Sequence, residues 1–276
     1  MNEAASSQLQ KALTCPATAV VFAWETGVFD GLGLASHTLI RSEIIPVETT
    51  VGKHLFALKV HRNGVQAWPA VLLSGSHAFA RFMDNLYAPL PRNPITTIAI
   101  FDACAAAYES LINVDRNTQN IARLLVVIDD KSTKSGQLKV IDFGCGTGLS
   151  LSALKSLNKA ERFEITGLDA APHMQSIAKS RGMPLTTMHD TIAPQDGIFA
   201  SYVLHGGTSF RDLQWIANTL APGGLFVANW LHGQAAEINQ LLSKLQQVRK
   251  GQVICQQESG IWNKDPILIF KTDENG

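Results

Sequence analysis

The sequence predicts an α/β protein, a largely parallel sheet flanked by helices and preceded by a smaller, mainly helical domain. Three observations predict it. The run VIDFGCGTGLS, Val140 to Ser150, reads as the end of a buried strand, a glycine turn and the start of a helix. Apolar strand-like runs then alternate with helical patterns to the end of the chain. A stiff connection with three prolines, PLPRNP at residues 89–94, separates this region from what precedes it. Two domains are therefore expected, 1–94 and 95–276. With 276 residues, 46% hydrophobic and 17% charged, the chain can bury a sizeable core.

The elements follow in order. TAVVFAWETGVFDGLG, from Thr18, has helical apolar spacing up to Gly27 and a glycine-punctuated end. GKHLFALKVHRNGVQAW, from Gly52, reads as a further helix and a small wing turning at Asn63-Gly64. FDACAAAYESL repeats apolar residues at helical spacing: Phe101, Cys104/Ala105, Tyr108, Leu111. After the glycine turn, FEITGLD is a second strand ending at Asp169, and MPLTTMHD a short third strand ending at Asp190. DGIFASYVLHGG is a fourth strand with Ser201 to His205 at its carboxyl end. FRDLQWIANTL is a helix, APGGLFVANW a turn and a fifth strand, and AAEINQLLSKLQQV a helix with its stripe at Ile238, Leu241, Leu242, Leu245 and Val248. VICQQES and DPILIFKT are the final pair of strands.

The glycine turn carries the first chemical signal. Gly144, Gly146 and Gly148 put backbone N–H groups, with no Cβ in the way, against a ligand over the first βα turn. The spacing is G-x-G-x-G, with Leu149 where a dinucleotide fingerprint has its third glycine. This points away from NAD and towards S-adenosylmethionine, which has no pyrophosphate. Asp169 stands 21 residues past Gly148, about where an acid pairs with ribose hydroxyls in nucleotide-binding folds. Before Ala170, Ala171 and Pro172 it also suits a helix N-cap.

In these residues, and in the Pro222-Gly223-Gly224 turn, the chain resembles the class I S-adenosylmethionine-dependent methyltransferases. The resemblance implies a Rossmann-like, seven-stranded, mostly parallel sheet whose last strand is antiparallel. It implies cofactor contacts from Asp142, Gly144, Cys145, Gly146, Gly148, Asp169, Ala170, Met174, Asp190, Thr191 and Ser201. Asp190 would receive the adenine amino group, or else make a loop turn. Met174 would lie against adenine, or else be a core residue. The segment from Ala23 to Leu32 resembles the helix opening the dimerisation domain of hydroxyl-directed O-methyltransferases, which implies a homodimer with a helical, winged-helix-like, substrate-enclosing domain. His205 falls where those enzymes place a histidine base, although Gly206-Gly207 replaces their Asp-Trp. His232 is a second-rank candidate.

The expected function is methyl transfer to a small molecule, a hydroxyl above all. The alternatives are non-methyl chemistry on the same cofactor, such as cyclisation or decarboxylation, or a silent cofactor-binding protein. Lys+Arg and Asp+Glu balance at 23 each, and the first 94 residues carry seven basic and six acidic groups, so no basic face for nucleic acid is expected. No apolar run reaches the ~18–20 residues of a membrane span. The start MNEAASSQLQKAL lacks a signal-peptide pattern. Cys15, Cys104, Cys145 and Cys255 show no metal spacing and read as reduced thiols, so no metal and a cytoplasmic location are expected.

Overall fold

The computed structural model describes residues 3–15, 18–32, 39–49, 54–62, 68–83, 86–91, 93–204, 208–229, 235–257 and 267–274. They form two compact units, Met1–Asn113 with Ala171–His173, and Val114–Ala170 with Met174–Gly276. The first unit runs through the proline-rich stretch, where the sequence reading places the boundary, and on to Asn113.

The first unit contains α1 (Glu3–Leu13), β1 (Thr18–Ala23), β2 (Leu39–Glu48), β3 (His54–Arg62), β4 (Val71–Ser74), β5 (His77–Met83), β6 (Leu86–Pro89), α2 (Pro94–Cys104) and α3 (Tyr108–Leu111). Its strands make one mixed sheet of order β2-β3-β1-β6-β5-β4, in which only β1 and β6 pair in parallel. The expected helical, winged-helix-like domain is thus corrected to a sheet-based one. Thr18 to Ala23 and His54 to Arg62 are strands, not helices. The reason lies in β1, which is buried at all six positions. Val20 and Phe22 pack with Leu9, Ile45, Leu55 and Ile100 on one face, while Ala19 and Val21 pack with Phe29, Val60, Leu72 and Phe79 on the other. A strand covered on both faces is apolar throughout and loses the alternation that distinguishes it from a buried helix. The Asn63-Gly64 turn lies outside the described residues. Helix α2 begins as its sequence dictates, with Pro94 in its first turn and the Asn93 side chain accepting the Thr96 N–H at 2.9 Å.

The second unit contains α4 (Val114–Lys131), β7 (Leu138–Phe143), α5 (Leu149–Leu157), β8 (Phe163–Leu168), α6 (Pro172–Ser180, from Met174 onward), β9 (Gln195–Ser201), α7 (Phe210–Thr219), β10 (Leu220–Asn229), α8 (Ala235–Val248), β11 (Gly251–Gln257) and β12 (Ile267–Thr272). The sheet order is β11-β12-β10-β9-β7-β8. Strands β8, β7, β9 and β10 are parallel, and β12 runs antiparallel between β10 and β11. Among the described residues this sheet has six strands, not seven. The expected third strand is reduced to one parallel bridge between Gly167 and Leu185, because turn chemistry takes over at Thr187 to Asp190. The core joins Ile141, Phe143, Ile198 and Phe226 of the sheet to Leu213 and Ile216 of α7 and to Leu242 and Leu245 of α8. Ser209 and Asp212 form a capping box that starts α7. No single helix among the described residues is long and apolar enough to cross a membrane.

Candidate functional site

The carboxyl ends of β7, β8 and β9 gather most of the predicted site residues in the second unit. Strand β7 ends in the loop from Gly144 to Gly148, whose glycines have φ values of 79°, 52° and 84°. These are left-handed conformations that a side chain resists. The loop is tied to the end of β8. The N–H groups of Gly144 and Cys145 both donate to the Leu168 carbonyl, at 2.7 and 3.0 Å. The Gly146 N–H donates to Asp169 Oδ2 at 2.8 Å. This corrects one part of the sequence reading: three loop amides expected to face a ligand are engaged by the protein itself. What the glycines supply here is space. A Cβ at Gly144 would overlap the γ-methyls of Val203, which follows β9.

Asp142 is buried beneath this loop at 2% exposure. Burial pushes its carboxyl up to about 7, and the nearby charge of Asp169 raises it further. This has a consequence for stability. The ordinary value is 3.8, so between pH 3.8 and 7 the unfolded chain loses this proton while the folded chain keeps it. Stability from this group is therefore fully present below pH 3.8 and is lost as pH rises to 7, by at most about 4 kcal/mol. Asp142→Asn is expected to remove that slope and to be more stable than the native chain at pH 8, by roughly 1–2 kcal/mol. Thermal melts at pH 4 and pH 8 check it, and an equal difference between the two chains at both pH values would count against it.

Cys145 is also buried, and its thiol is pushed far up by burial and by Asp142 and Asp169, which leaves it inert as a nucleophile. Asp169 is half-buried and Ala170 exposed. Met174 is buried in the core. Asp190 is exposed, and its Oδ2 accepts from the Thr187 N–H at 2.7 Å and the Thr186 hydroxyl at 3.1 Å, which holds its carboxyl below the usual range. This is the loop turn that the sequence left open as an alternative. Thr191 follows it, exposed. Ser201 ends β9, half-buried opposite Asn229 of β10. His205, Gly206, Gly207 and His232 lie outside the described residues.

Sequence reasoning passed over Gly167. A Cβ there would stand 2.5 Å from Met183 Sδ and 2.8 Å from Cys145 Sγ, so a side chain at this point of β8 would push into the loop. Its position two residues before the acid that follows β8, G-L-D, is the available signal.

A run of parallel strands with a glycine turn after β7 and an acid after its neighbour β8 is an arrangement of open α/β sheets, whose ligand sites lie at the carboxyl ends of the strands. Within that class, the sequence matches the family described as a methyltransferase domain over residues 108–255, just over half of the chain, and the protein belongs to that family. No curated protein matches the chain. Solved structures are similar at low identity. A chain of the complex between the Haloferax volcanii Trm112 methyltransferase activator and a putative methyltransferase shares 15% identity with a TM-score of 0.46, over 63% of this chain and 97% of that one. The TehB-like SAM-dependent methyltransferase of Corynebacterium glutamicum shares 19% with a TM-score of 0.43, over 56% and 88%. Magnesium protoporphyrin IX methyltransferase of Synechocystis, with bound SAM, shares 13% with a TM-score of 0.43, over 57% and 80%.

Proposed function

We propose that this protein transfers a methyl group from S-adenosylmethionine to a small-molecule acceptor, and that the accepting atom is a hydroxyl oxygen. S-adenosylmethionine is the cofactor; when bound it supplies a methyl group already activated by a positive sulfur. The observation that carries the reading is that buried Asp142 on β7 and Asp169 after neighbouring β8 flank a loop of three left-handed glycines, which Asp169 holds through the Gly146 N–H. Two neighbouring acids, one of them held partly protonated near neutral pH, form a negative site that suits a ligand with an ammonium and a sulfonium. The left-handed glycines let the loop turn tightly over the end of β7, beside those acids. The Rossmann-like reading of the fold is supported by the strand order and by the antiparallel β12.

In this reading, Gly144, Cys145, Gly146 and Gly148 receive the methionine part and Asp142 orients its amino group. Asp169 takes the ribose hydroxyls, next to Ala170. Asp190 and Thr191 border the adenine, with buried Met174 beneath it. Ser201 contributes to the cofactor site from the end of β9. The chain's own task is to hold the acceptor in line and keep water out. A hydroxyl acceptor must also lose its proton, and His205, four residues past the end of β9, is the base we assign to it.

The test is conversion of S-adenosylmethionine to S-adenosylhomocysteine by the full chain with a panel of small hydroxyl, amine and activated-carbon acceptors. Turnover with hydroxyl acceptors is the expected result. Turnover with amines or carbon acids alone would reject the hydroxyl assignment. Binding of S-adenosylmethionine with no homocysteine product from any acceptor would reject methyl transfer.

A further inference from the structure

Tyr202, directly after β9, has a φ of 59°, a left-handed conformation that a bulky side chain rarely adopts. Both ends of the residue are held. Its backbone N–H donates to Asn229 Oδ1 at 2.8 Å. Its phenol oxygen accepts from Asn120 Nδ2 of α4, whose Oδ1 in turn accepts from Arg123 Nη1 at 3.2 Å. The two amides are buried, at 2% and 6% exposure, and come from different elements of the second unit. Such over-determined strain gathers where geometry serves a site. The geometry at stake is visible one residue on. The turn at Tyr202 brings Val203 onto Gly144, so closely that no Cβ fits between them.

We propose that Asn120, Tyr202 and Asn229 form a positioning clamp that seats Val203 against Gly144 and thereby sets the wall of the cofactor seat. Tyr202 acts through Val203, so it is a positioning residue and not a catalytic one. The inference rests on the cofactor reading above.

The experiment is calorimetric titration of the full chain with S-adenosylhomocysteine, together with thermal melts, for the native protein, Tyr202→Phe, Asn120→Ala and the double variant. Tyr202→Phe keeps the ring and removes the phenol oxygen that accepts from Asn120. It is expected to weaken binding about fivefold while the melting temperature moves by no more than about 2 °C. Asn120→Ala also removes the acceptor of Arg123 Nη1 and is expected to weaken binding at least as much, and the double variant to bind about as weakly as Asn120→Ala, since the shared bond is lost once. A fall in melting temperature with unchanged affinity would make the bond purely structural and overturn the clamp. So would losses that multiply in the double variant. Failure of the native chain to bind S-adenosylhomocysteine would instead overturn the cofactor reading, and the clamp with it.

Discussion

Gly144→Ala is expected to weaken S-adenosylhomocysteine binding by about 100-fold and to lower the melting temperature. Two effects add. An L-residue at a φ of 79° carries roughly 1–2 kcal/mol of conformational strain. Its methyl also overlaps Val203, and forcing a carbon into packed space costs typically about 1–3 kcal/mol. The chain can relieve this only by moving the loop or the segment after β9, and either movement deforms the seat. About 3 kcal/mol expressed in affinity is about two powers of ten. The double variant Gly144→Ala with Val203→Ala separates the parts. It removes most of the overlap and leaves the backbone strain, so it should recover about half of the loss on a logarithmic scale. A Gly144→Ala chain that binds within twofold of native would show that the tight approach has no bearing on the ligand.

His205→Ala is expected to lower turnover by about 100-fold on a hydroxyl acceptor and to leave S-adenosylhomocysteine affinity within about twofold. The donor methyl is already activated, so the proton of the acceptor is the remaining task for a side chain, and an imidazole titrates in the right range. Unchanged turnover would remove His205 from the mechanism.

The second unit was legible from its residues because parallel strands announce themselves as short apolar runs closed by polar strand ends. Val140 and Ile141 close on Asp142, the alternating run from Phe163 to Leu168 on Asp169, and Ile198 to Ala200 on Ser201. Asp142 and Asp169 were placed by the turns that follow those runs. The failures have separate causes. Thr18 to Ala23 is buried on both faces, so its pattern has no period to read. Met183 to Asp190 looks like a strand in composition, yet Thr186, Thr187 and Asp190 bond one another and coil it after Leu185. Tyr202 could not be read at all. Its left-handed turn is imposed by partners 82 and 27 residues away, and a tyrosine gives no local sign of a conformation that normally belongs to glycine.

The Leu168 carbonyl, shared by two successive loop amides, has one more implication. With the Gly146 N–H held by Asp169, three consecutive peptide groups of the turn are fastened to the end of the neighbouring strand, so the loop is braced by β8 rather than by its own side chains.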